Sequence, residues 1–272
     1  MRPILDHAAL FRCPLCHGPL TARETSLRCE KGHDFALSKK GYADFCSAAR
    51  AGAYDDGLFD SRSRFIAGGF YAELIENLKG FLKKYAPAGP ILDAGCGEGS
   101  FLKAVCPDPS ARLCVGLDLS RPGIQRAARG GGGWLWAVGD LARLPLQTSA
   151  CSAILNILSP ANYPEFSRVL GPGGAVLKVV PGARYLSEVR ALVKGCLRRG
   201  EYSNAQVVQL FAERFSLLEQ REICGTFPLT SDQAAGLVAM TPLLQGIEKE
   251  QLSIAALDSI TIHMHILVGK PR

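Results

Sequence analysis

The segment at 91–99, ILDAGCGEG, constrains the fold of this chain more than any other stretch of its sequence. An apolar run leads into it and a helical pattern follows it, so its glycines stand at a strand-to-helix turn. Glycine allows that tight turn and lets a ligand approach the backbone. The spacing is Gly-x-Gly-x-Gly, whereas loops that bind a pyrophosphate have Gly-x-Gly-x-x-Gly. The carboxylates of Asp93 and Glu98 would repel a pyrophosphate at the helix N-terminus, but they can accept hydrogen bonds from a ligand ammonium group.

Strand and helix patterns alternate around this loop from about Ile66 onward. Such alternation predicts an α/β fold, with a parallel sheet and helices on both of its faces. The predicted helices are Gly69–Tyr85, Ser100–Val105, Pro122–Arg129, Pro164–Leu170 and Leu186–Leu197. The predicted strands are Pro90–Asp93, Leu113–Asp118, Trp134–Val138, Ser152–Ile157, Ala175–Val180 and Ile260–Val268.

An acidic residue ends the strand that follows the glycine loop. Asp118 can accept both hydroxyls of a ribose there, as in dinucleotide sites. A ligand with a ribose, an amino-acid ammonium group and no phosphate fits this combination. The glycine loop and GLDLS at 116–120 resemble motifs I and II of class I S-adenosylmethionine methyltransferases, which have a Rossmann-like fold. In that resemblance Asp140 stands where the adenine amino group is often received, and GPGG at 171–174 is a further shared feature. The alternative is a different Rossmann-like protein with a glycine-rich turn.

Four residues near the N-terminus have the spacing of metal ligands. Cys13 and Cys16 are separated by two residues, and Cys29 and His33 by three. Three cysteines and one histidine form a structural zinc set, and the metal would supply folding energy to a piece too small for a core of its own. His17 is a less well placed substitute ligand, and a chance cluster is the alternative. The scattered remaining cysteines are expected to be small core residues in a reducing compartment.

We predict three parts in the chain: a zinc-binding module at 1–45, for which RNA recognition is expected on the grounds given below, a linker at 46–65 and, by the resemblance above, a methyltransferase domain at 66–272. The net charge of +6 suits a partner with phosphates, but it is weak evidence by itself. No apolar run reaches the roughly 18 residues of a membrane helix, and the N-terminus lacks a signal-peptide layout. We therefore expect a cytoplasmic protein without a membrane partner.

Basic and aromatic residues on or after the zinc module suggest contacts with nucleic acid. Cations there could contact phosphates, and aromatic rings could stack on unpaired bases. Taken singly, each is more simply a solvated surface residue or a small-core aromatic. The cations are Lys39, Lys40, Arg50, Arg62 and Arg64, and the aromatic residues are Tyr42 and Phe45.

A zinc module followed by such a domain is similar to the RlmA family of 23S ribosomal RNA guanine-N1 methyltransferases, which includes tylosin-resistance enzymes. The resemblance covers nearly the whole chain. It is carried by segments such as FRCPLCHGPL, LRCEKGHDFALSKKGYADF, SRSRFIAGGFY and NILSPANYPEF, the last being closest to the Gram-positive branch. It implies zinc on the four ligands, a homodimer with RNA in a shared cleft, and a target guanine in hairpin 35.

The resemblance also implies roles in a cofactor site. Many relatives have a PGxRHL segment that contacts the cofactor near its histidine, whereas this chain has PGARYL, which leaves the contact of Tyr185 in doubt. Leu119 and Leu141 adjoin the two acids that follow the strands. The expected S-adenosylmethionine-binding residues are Tyr71, Asp93, Gly95, Gly97, Glu98, Gly99, Asp118, Leu119, Asp140, Leu141 and Tyr185.

Guanine N1 carries a proton that it must lose around methyl transfer, so a general base is expected. Asp140 and Glu165 are weak candidates, although Asp140 could be occupied with adenine, and water could take the proton instead. The segment NILSP at 156–160 does not match the motif of adenine-N6 enzymes, and Cys151 lacks the neighbouring proline of pyrimidine-C5 enzymes.

Two other functions stay open. A small-molecule methyltransferase of natural products would leave the zinc module without a use. A non-catalytic zinc-containing protein that binds RNA or the ribosome would not need the intact cofactor motif.

Overall fold

The computed structural model of the protein describes residues 3–46, 56–129, 131–192, 203–241 and 256–272. Its smaller sheet is antiparallel, in the order β1 (Leu20–Ala22), β2 (Ser26–Cys29), β3 (Asp34–Ala36). This three-stranded sheet carries the last two predicted zinc ligands at and after the end of β2.

The larger sheet has eight strands among the described residues and is mixed rather than wholly parallel. Its order is β10-β11-β9-β8-β5-β6-β7-β4. The strands β4 to β9 run parallel, whereas β11 lies antiparallel to β9 and β10 antiparallel to β11. The strand bounds are β4 (Ala43–Asp44), β5 (Ile91–Ala94), β6 (Cys114–Asp118), β7 (Leu135–Val138), β8 (Cys151–Ile157), β9 (Leu170–Pro181), β10 (Phe215–Pro228) and β11 (Ser259–Pro271).

Helices cover both faces of this sheet. The predicted helix Ser100–Val105 is observed with those bounds, and the predicted Gly69–Tyr85 begins later, at Ala72. Of the predicted Leu186–Leu197, residues 193–197 lie outside the described residues. The helices are α1 (Pro3–Asp6), α2 (Asp56–Ala67), α3 (Ala72–Tyr85), α4 (Ser100–Val105), α5 (Arg121–Ala127), α6 (Tyr163–Val169), α7 (Ser187–Leu192), α8 (Ala205–Arg214) and α9 (Ser231–Met240).

The segment expected to be a linker is helical from Asp56 onward, as α2. Leu58, Phe59, Phe65 and Ile66 are buried on this helix and pack into the core that covers one face of the sheet. Two apolar pairs seven residues apart lie on one helix face. The polar and charged residues between them concealed that pattern in the sequence.

The zinc module and the larger sheet share one hydrophobic core. Strand β4 pairs with β7, so the boundary expected at residue 45 falls at the end of a strand of the larger sheet. Phe45 is 5% exposed and stacks on Phe11 with ring centroids 5.6 Å apart. Tyr42 is also 5% exposed and accepts a hydrogen bond from the amide of Gln125. The simpler interpretation of Tyr42 and Phe45 as small-core aromatics is therefore confirmed, and the suggestion that they stack on RNA bases is wrong.

The order of the parallel strands reverses between the neighbouring strands β5 and β8. From β5 the chain continues through β6 and β7 toward one edge of the sheet, and from β8 it continues to β9 toward the other edge. At such a switch point a crevice opens beyond the carboxyl ends of the strands, and ligands bind there. No helix among the described residues has the length and apolar character needed to cross a membrane.

Candidate active site and zinc centre

A cavity of about 1040 Å³ lies at this switch point. It is large enough for a ligand of several hundred daltons. One side of its wall comes from the loops after β5, β6 and β7, and the other from the ends of β8 and β9 and from α8. Of the expected cofactor residues, it is lined by Tyr71, Gly95, Gly97, Asp118, Leu119, Asp140, Leu141 and Tyr185.

The local fold fixes the two acids that follow the strands. The Oδ2 atom of Asp118 accepts a hydrogen bond from the Gly97 amide at 2.8 Å, and its Oδ1 atom accepts one from the Ser120 amide at 2.7 Å. Asp140 caps a single 3₁₀ turn, Leu141–Arg143, by accepting a hydrogen bond from the Ala142 amide at 2.9 Å. The carboxylate of Asp118 is thereby held at the cavity wall, between the glycine loop and the start of α5.

Asp93 and Glu98 are buried in the glycine segment, with exposed fractions of 1% and 6%. None of their four carboxylate oxygens has a hydrogen-bond partner within the described part of the chain. Burial raises the pKa of Asp93 to about 8. A buried acid without a hydrogen-bond partner is costly, so a ligand group that donates hydrogen bonds to these two acids would stabilise the site.

Arg62 is the cation nearest to these acids. Its Nε atom lies 3.7 Å from Oε2 of Glu98, within ion-pair range but beyond a hydrogen bond, and its guanidinium stands over the Phe101 ring. It lines the cavity from α2. The expectation that Arg62 contacts RNA phosphates is wrong, since the side chain faces the cavity. Lys39, Lys40 and Arg64 are exposed, and Arg50 lies outside the described residues.

Two glycines of the loop are required by close packing. Gly95 has a φ of +85°, and a Cβ there would lie 1.8 Å from Oγ of Ser159. Gly99 has a φ of +78°, and its Cβ would lie 2.4 Å from the Trp136 ring. Gly99 therefore serves the packing of the turn on β7, whereas Gly95 lies at the cavity.

The hydroxyl groups of Tyr71 and Tyr185 are 2.9 Å apart and hydrogen-bonded. Burial raises the pKa of both phenols, so both stay neutral at physiological pH. The structure thus brings Tyr185 to the cavity wall beside Tyr71, which makes their hydroxyl pair a polar contact at the cavity.

Glu165 is outside the cavity. Its carboxylate accepts a hydrogen bond from the Leu144 amide, forms two hydrogen bonds with Arg168 at 2.7 Å, and lies 3.7 Å from Arg12. Burial alone would raise the pKa of Glu165, but Arg168, the Leu144 amide and Arg12 outweigh it and hold the pKa below its ordinary value. The expectation that Glu165 is a candidate base is wrong, because it is an ion-pair anchor between α6 and the loop after β7.

Sequence reasoning missed a lysine at the cavity. Lys178 lies on β9 and is 4% exposed. Its Nζ atom donates to Oδ1 of Asn156 at 2.6 Å and to the Ser159 carbonyl at 2.5 Å. Burial lowers its pKa to about 8. The available signal was a single charge inside the apolar run AVLKVV at 175–180.

The four expected zinc ligands come together in the N-terminal module. Nδ1 of His33 lies 3.4 Å from Sγ of both Cys13 and Cys29, and the Sγ atoms of Cys16 and Cys29 are 3.6 Å apart. Ligands around a tetrahedral zinc stand about 3.5–3.8 Å from one another, so these separations fit one ion. His17 is outside the cluster.

Comparisons with known proteins agree with both halves of the site. A family model described as "RlmA, N-terminal" matches residues 11–46, and one described as "Methyltransferase domain" matches 92–177. A Bacillus subtilis protein named "Putative 23S rRNA (guanine-N(1)-)-methyltransferase YxjB" is 37% identical, covering 96% of this chain and 97% of its own. The Streptomyces fradiae protein named "23S rRNA (guanine(748)-N(1))-methyltransferase" is 31% identical, covering 96% of both chains. A solved geranyl diphosphate methyltransferase has a TM-score of 0.49 at 18% identity, covering 82% of this chain and 93% of its own.

Proposed function

Because the chain belongs to the RlmA family of 23S ribosomal RNA (guanine-N1)-methyltransferases, we propose that it methylates N1 of a guanine in 23S ribosomal RNA, with S-adenosylmethionine as methyl donor. The observation that carries this proposal is that Asp93 and Glu98 are buried without a hydrogen-bond partner among the described residues, in the glycine segment whose Gly95 and Gly97 line the cavity with Asp118. These acids suit a nucleoside with an amino-acid tail and disfavour a phosphate-bearing coenzyme.

The residues at the cavity fit S-adenosylmethionine, whose sulfonium supplies an electrophilic methyl group. Asp118 would accept the ribose hydroxyls, and Asp93 with Glu98 would receive the ammonium group. Arg62 carries the opposite charge to the cofactor carboxylate and would pair with it. Asp140 would accept from the adenine amino group. Tyr71 and Tyr185 would line the site, beside the methionine part of the cofactor.

The rest of the cavity leaves room for a base. The wall formed by β9, the loop after β8 and the start of α6 carries no expected cofactor residue and includes Ser159, Tyr163 and Lys178. Methyl transfer requires the nucleophile to lie on the side of the methyl group opposite the sulfur, and holding it there contributes much of the rate. A guanine inserted in this half of the cavity would take that position. Base insertion requires an unpaired or extruded nucleotide.

The zinc module would supply RNA contacts through its exposed face. Zinc held by three cysteines and one histidine has no open position, so its role is structural. Lys39 and Lys40 are exposed on this module and would contact phosphates. The finer expectations, a guanine in hairpin 35, a homodimer with a shared cleft and a cytoplasmic location, belong to this proposal and rest on the family resemblance.

The proposal is tested by mass mapping of 23S ribosomal RNA from cells with and without the gene. We expect one N1-methylguanine to disappear with the gene and to return with the wild-type chain. Complementation with Asp118→Ala is the matched control and should not restore it. Transfer of label from S-adenosylmethionine to small-molecule extracts, with unchanged ribosomal RNA, would instead favour a natural-product methyltransferase and overturn the proposal.

A further inference from the structure

Lys178 is a buried lysine at the cavity wall, on a strand whose neighbouring residues are apolar. It lies in the register of the buried strand pair β8–β9, directly opposite Asn156. Its Nζ atom reaches the carbonyl of Ser159, in the loop that follows β8. That loop packs on the glycine turn, as the close approach of Ser159 to Gly95 shows. The amine therefore stands where the cofactor half of the cavity meets the other half.

The surroundings of this amine are polar but carry no negative charge within ion-pair distance. Both of its hydrogen-bond acceptors, Asn156 Oδ1 and the Ser159 carbonyl, are neutral, and Lys178 has no ion-pair partner among the described residues. A buried ammonium without a counter-charge is strongly disfavoured, so burial lowers the pKa of Lys178 to about 8. A neutral amine that donates two hydrogen bonds keeps a lone pair, which can accept a proton.

The Asn156 side chain holds this amine in place. Its Nδ2 group donates to the carbonyls of Ala94 at 2.7 Å and Pro160 at 3.0 Å, which leaves Oδ1 directed at Lys178. Asn156 is 0% exposed. The carbonyls of Ala94, at the end of β5, and of Pro160, in the loop after β8, thus hold the Asn156 side-chain amide, and this amide fixes the lysine amine in one position.

We infer that Lys178 is the general base that removes the N1 proton of the target guanine, an inference that rests on the proposed function. As N1 bonds to the methyl carbon, the bond from that carbon to the sulfonium sulfur breaks and its electron pair stays on sulfur as a neutral thioether. The N1 proton passes to the lone pair of Nζ, which becomes an ammonium and later releases the proton to water. A base of this kind contributes about 10²- to 10⁴-fold in rate.

Other titratable groups face the same space and have to be separated from Lys178. The tyrosines Tyr71, Tyr163 and Tyr185 have pKa values raised by burial, and Tyr163 comes from α6. On β11, Leu267 lies opposite Lys178 and is apolar, and His265, two residues before it, has its pKa lowered by burial. The remaining charged groups at the cavity are Arg62, Arg190, Asp118 and Asp140. Asp93 acts through cofactor binding, so saturating cofactor removes its contribution to the pH profile.

The test is single-turnover methylation of an RNA substrate at saturating S-adenosylmethionine, from pH 6 to pH 10. We expect the wild-type rate to rise with pH and level off above about 8, the range set by Lys178. Lys178→Met should lose at least about 100-fold in rate. It should also lose the inflection near pH 8, while cofactor affinity by calorimetry and RNA affinity by filter binding stay within about threefold. The control is Lys103→Met, because Lys103 is half-buried with a lowered pKa and lies outside the residues that wall the cavity.

Retention of the inflection and of the rate in Lys178→Met would overturn the inference. If that variant fails to fold, NMR titration of isotope-labelled lysine in the wild-type protein decides, since an Nζ that stays protonated above pH 10 could not act as the base. A wild-type protein that forms no N1-methylguanine would refute the proposed function instead, so the two failures are distinguishable.

Discussion

Replacement of Asp93 by asparagine should remove a pH-dependent loss of stability. The side chain is 1% exposed, and burial raises its pKa from an ordinary value of 3.8 to about 8. The folded protein therefore holds a proton that the unfolded chain has already released between these two values. Its stability falls by about 1.4 kcal/mol for each pH unit in this window, or about 6 kcal/mol in all. The contribution is fully present below pH 3.8 and is lost as pH rises through about 8.

Urea unfolding of the cofactor-free protein at pH 5 and pH 9 measures the pH-dependent contribution of Asp93 to the free energy of unfolding. The free energy of unfolding of Asp93→Asn minus that of the wild type should be larger at pH 9 than at pH 5 by about 4 kcal/mol. The same variant should bind S-adenosylmethionine poorly at both pH values. The wild type should gain about tenfold in cofactor affinity for each pH unit up to about 8, because binding of an ammonium requires the ionised acid.

The control compares buried with solvated carboxylates. Asp108 is an exposed acid on the loop before β6, so Asp108→Asn should leave the pH dependence parallel to that of the wild type. Parallel stability curves for Asp93→Asn and wild type would refute the reasoning, because they would mean that Asp93 is ionised and satisfied in the free protein.

Three further outcomes are expected. Cys29→Ser should lose one zinc per chain by elemental analysis and lower the melting temperature of the whole chain in one transition, whereas Cys224→Ser should do neither. Arg62→Gln should weaken S-adenosylmethionine binding about 10- to 100-fold by calorimetry with RNA affinity retained, against the exposed Arg64→Gln as control. Gly99→Ala should lower the free energy of unfolding by about 2–4 kcal/mol in denaturant titrations, since a left-handed φ and the Trp136 ring both oppose a Cβ. The control is Gly80→Ala in α3, where the glycine is exposed and no atom lies within 4 Å of an added Cβ, so this variant should be slightly more stable than the wild type.

Features whose spacing is local could be predicted from the sequence. The zinc ligands and the acids of the glycine segment follow from short motifs, in which the chemistry limits the residue type at each position. Helix α4 was predicted with its observed bounds because glycines before it and an apolar pattern within it leave few alternatives.

Features that depend on distant partners could not be predicted. Arg62 faces a cavity rather than solvent only because α2 packs against α9 and α4. Lys178 and Asn156 are 22 residues apart and meet through strand register. Strand β10 is an edge strand with few buried side chains, so its sequence lacks the alternation that marks a half-buried strand. For Tyr42 and Phe45 the sequence left base stacking open beside the simpler interpretation as core residues, because an aromatic residue in a small module gives no local sign of whether it is covered.

The pairing of β4 with β7 has a consequence for how the chain can be divided. In a chain that began after residue 46, β7, with its buried Leu135 and Ala137, would become an edge strand with unpaired backbone donors and acceptors. Exposed edge strands pair with strands of other molecules, which leads to aggregation. The two residues of β4 thus cover the edge of β7, and we expect a methyltransferase domain without them to self-associate.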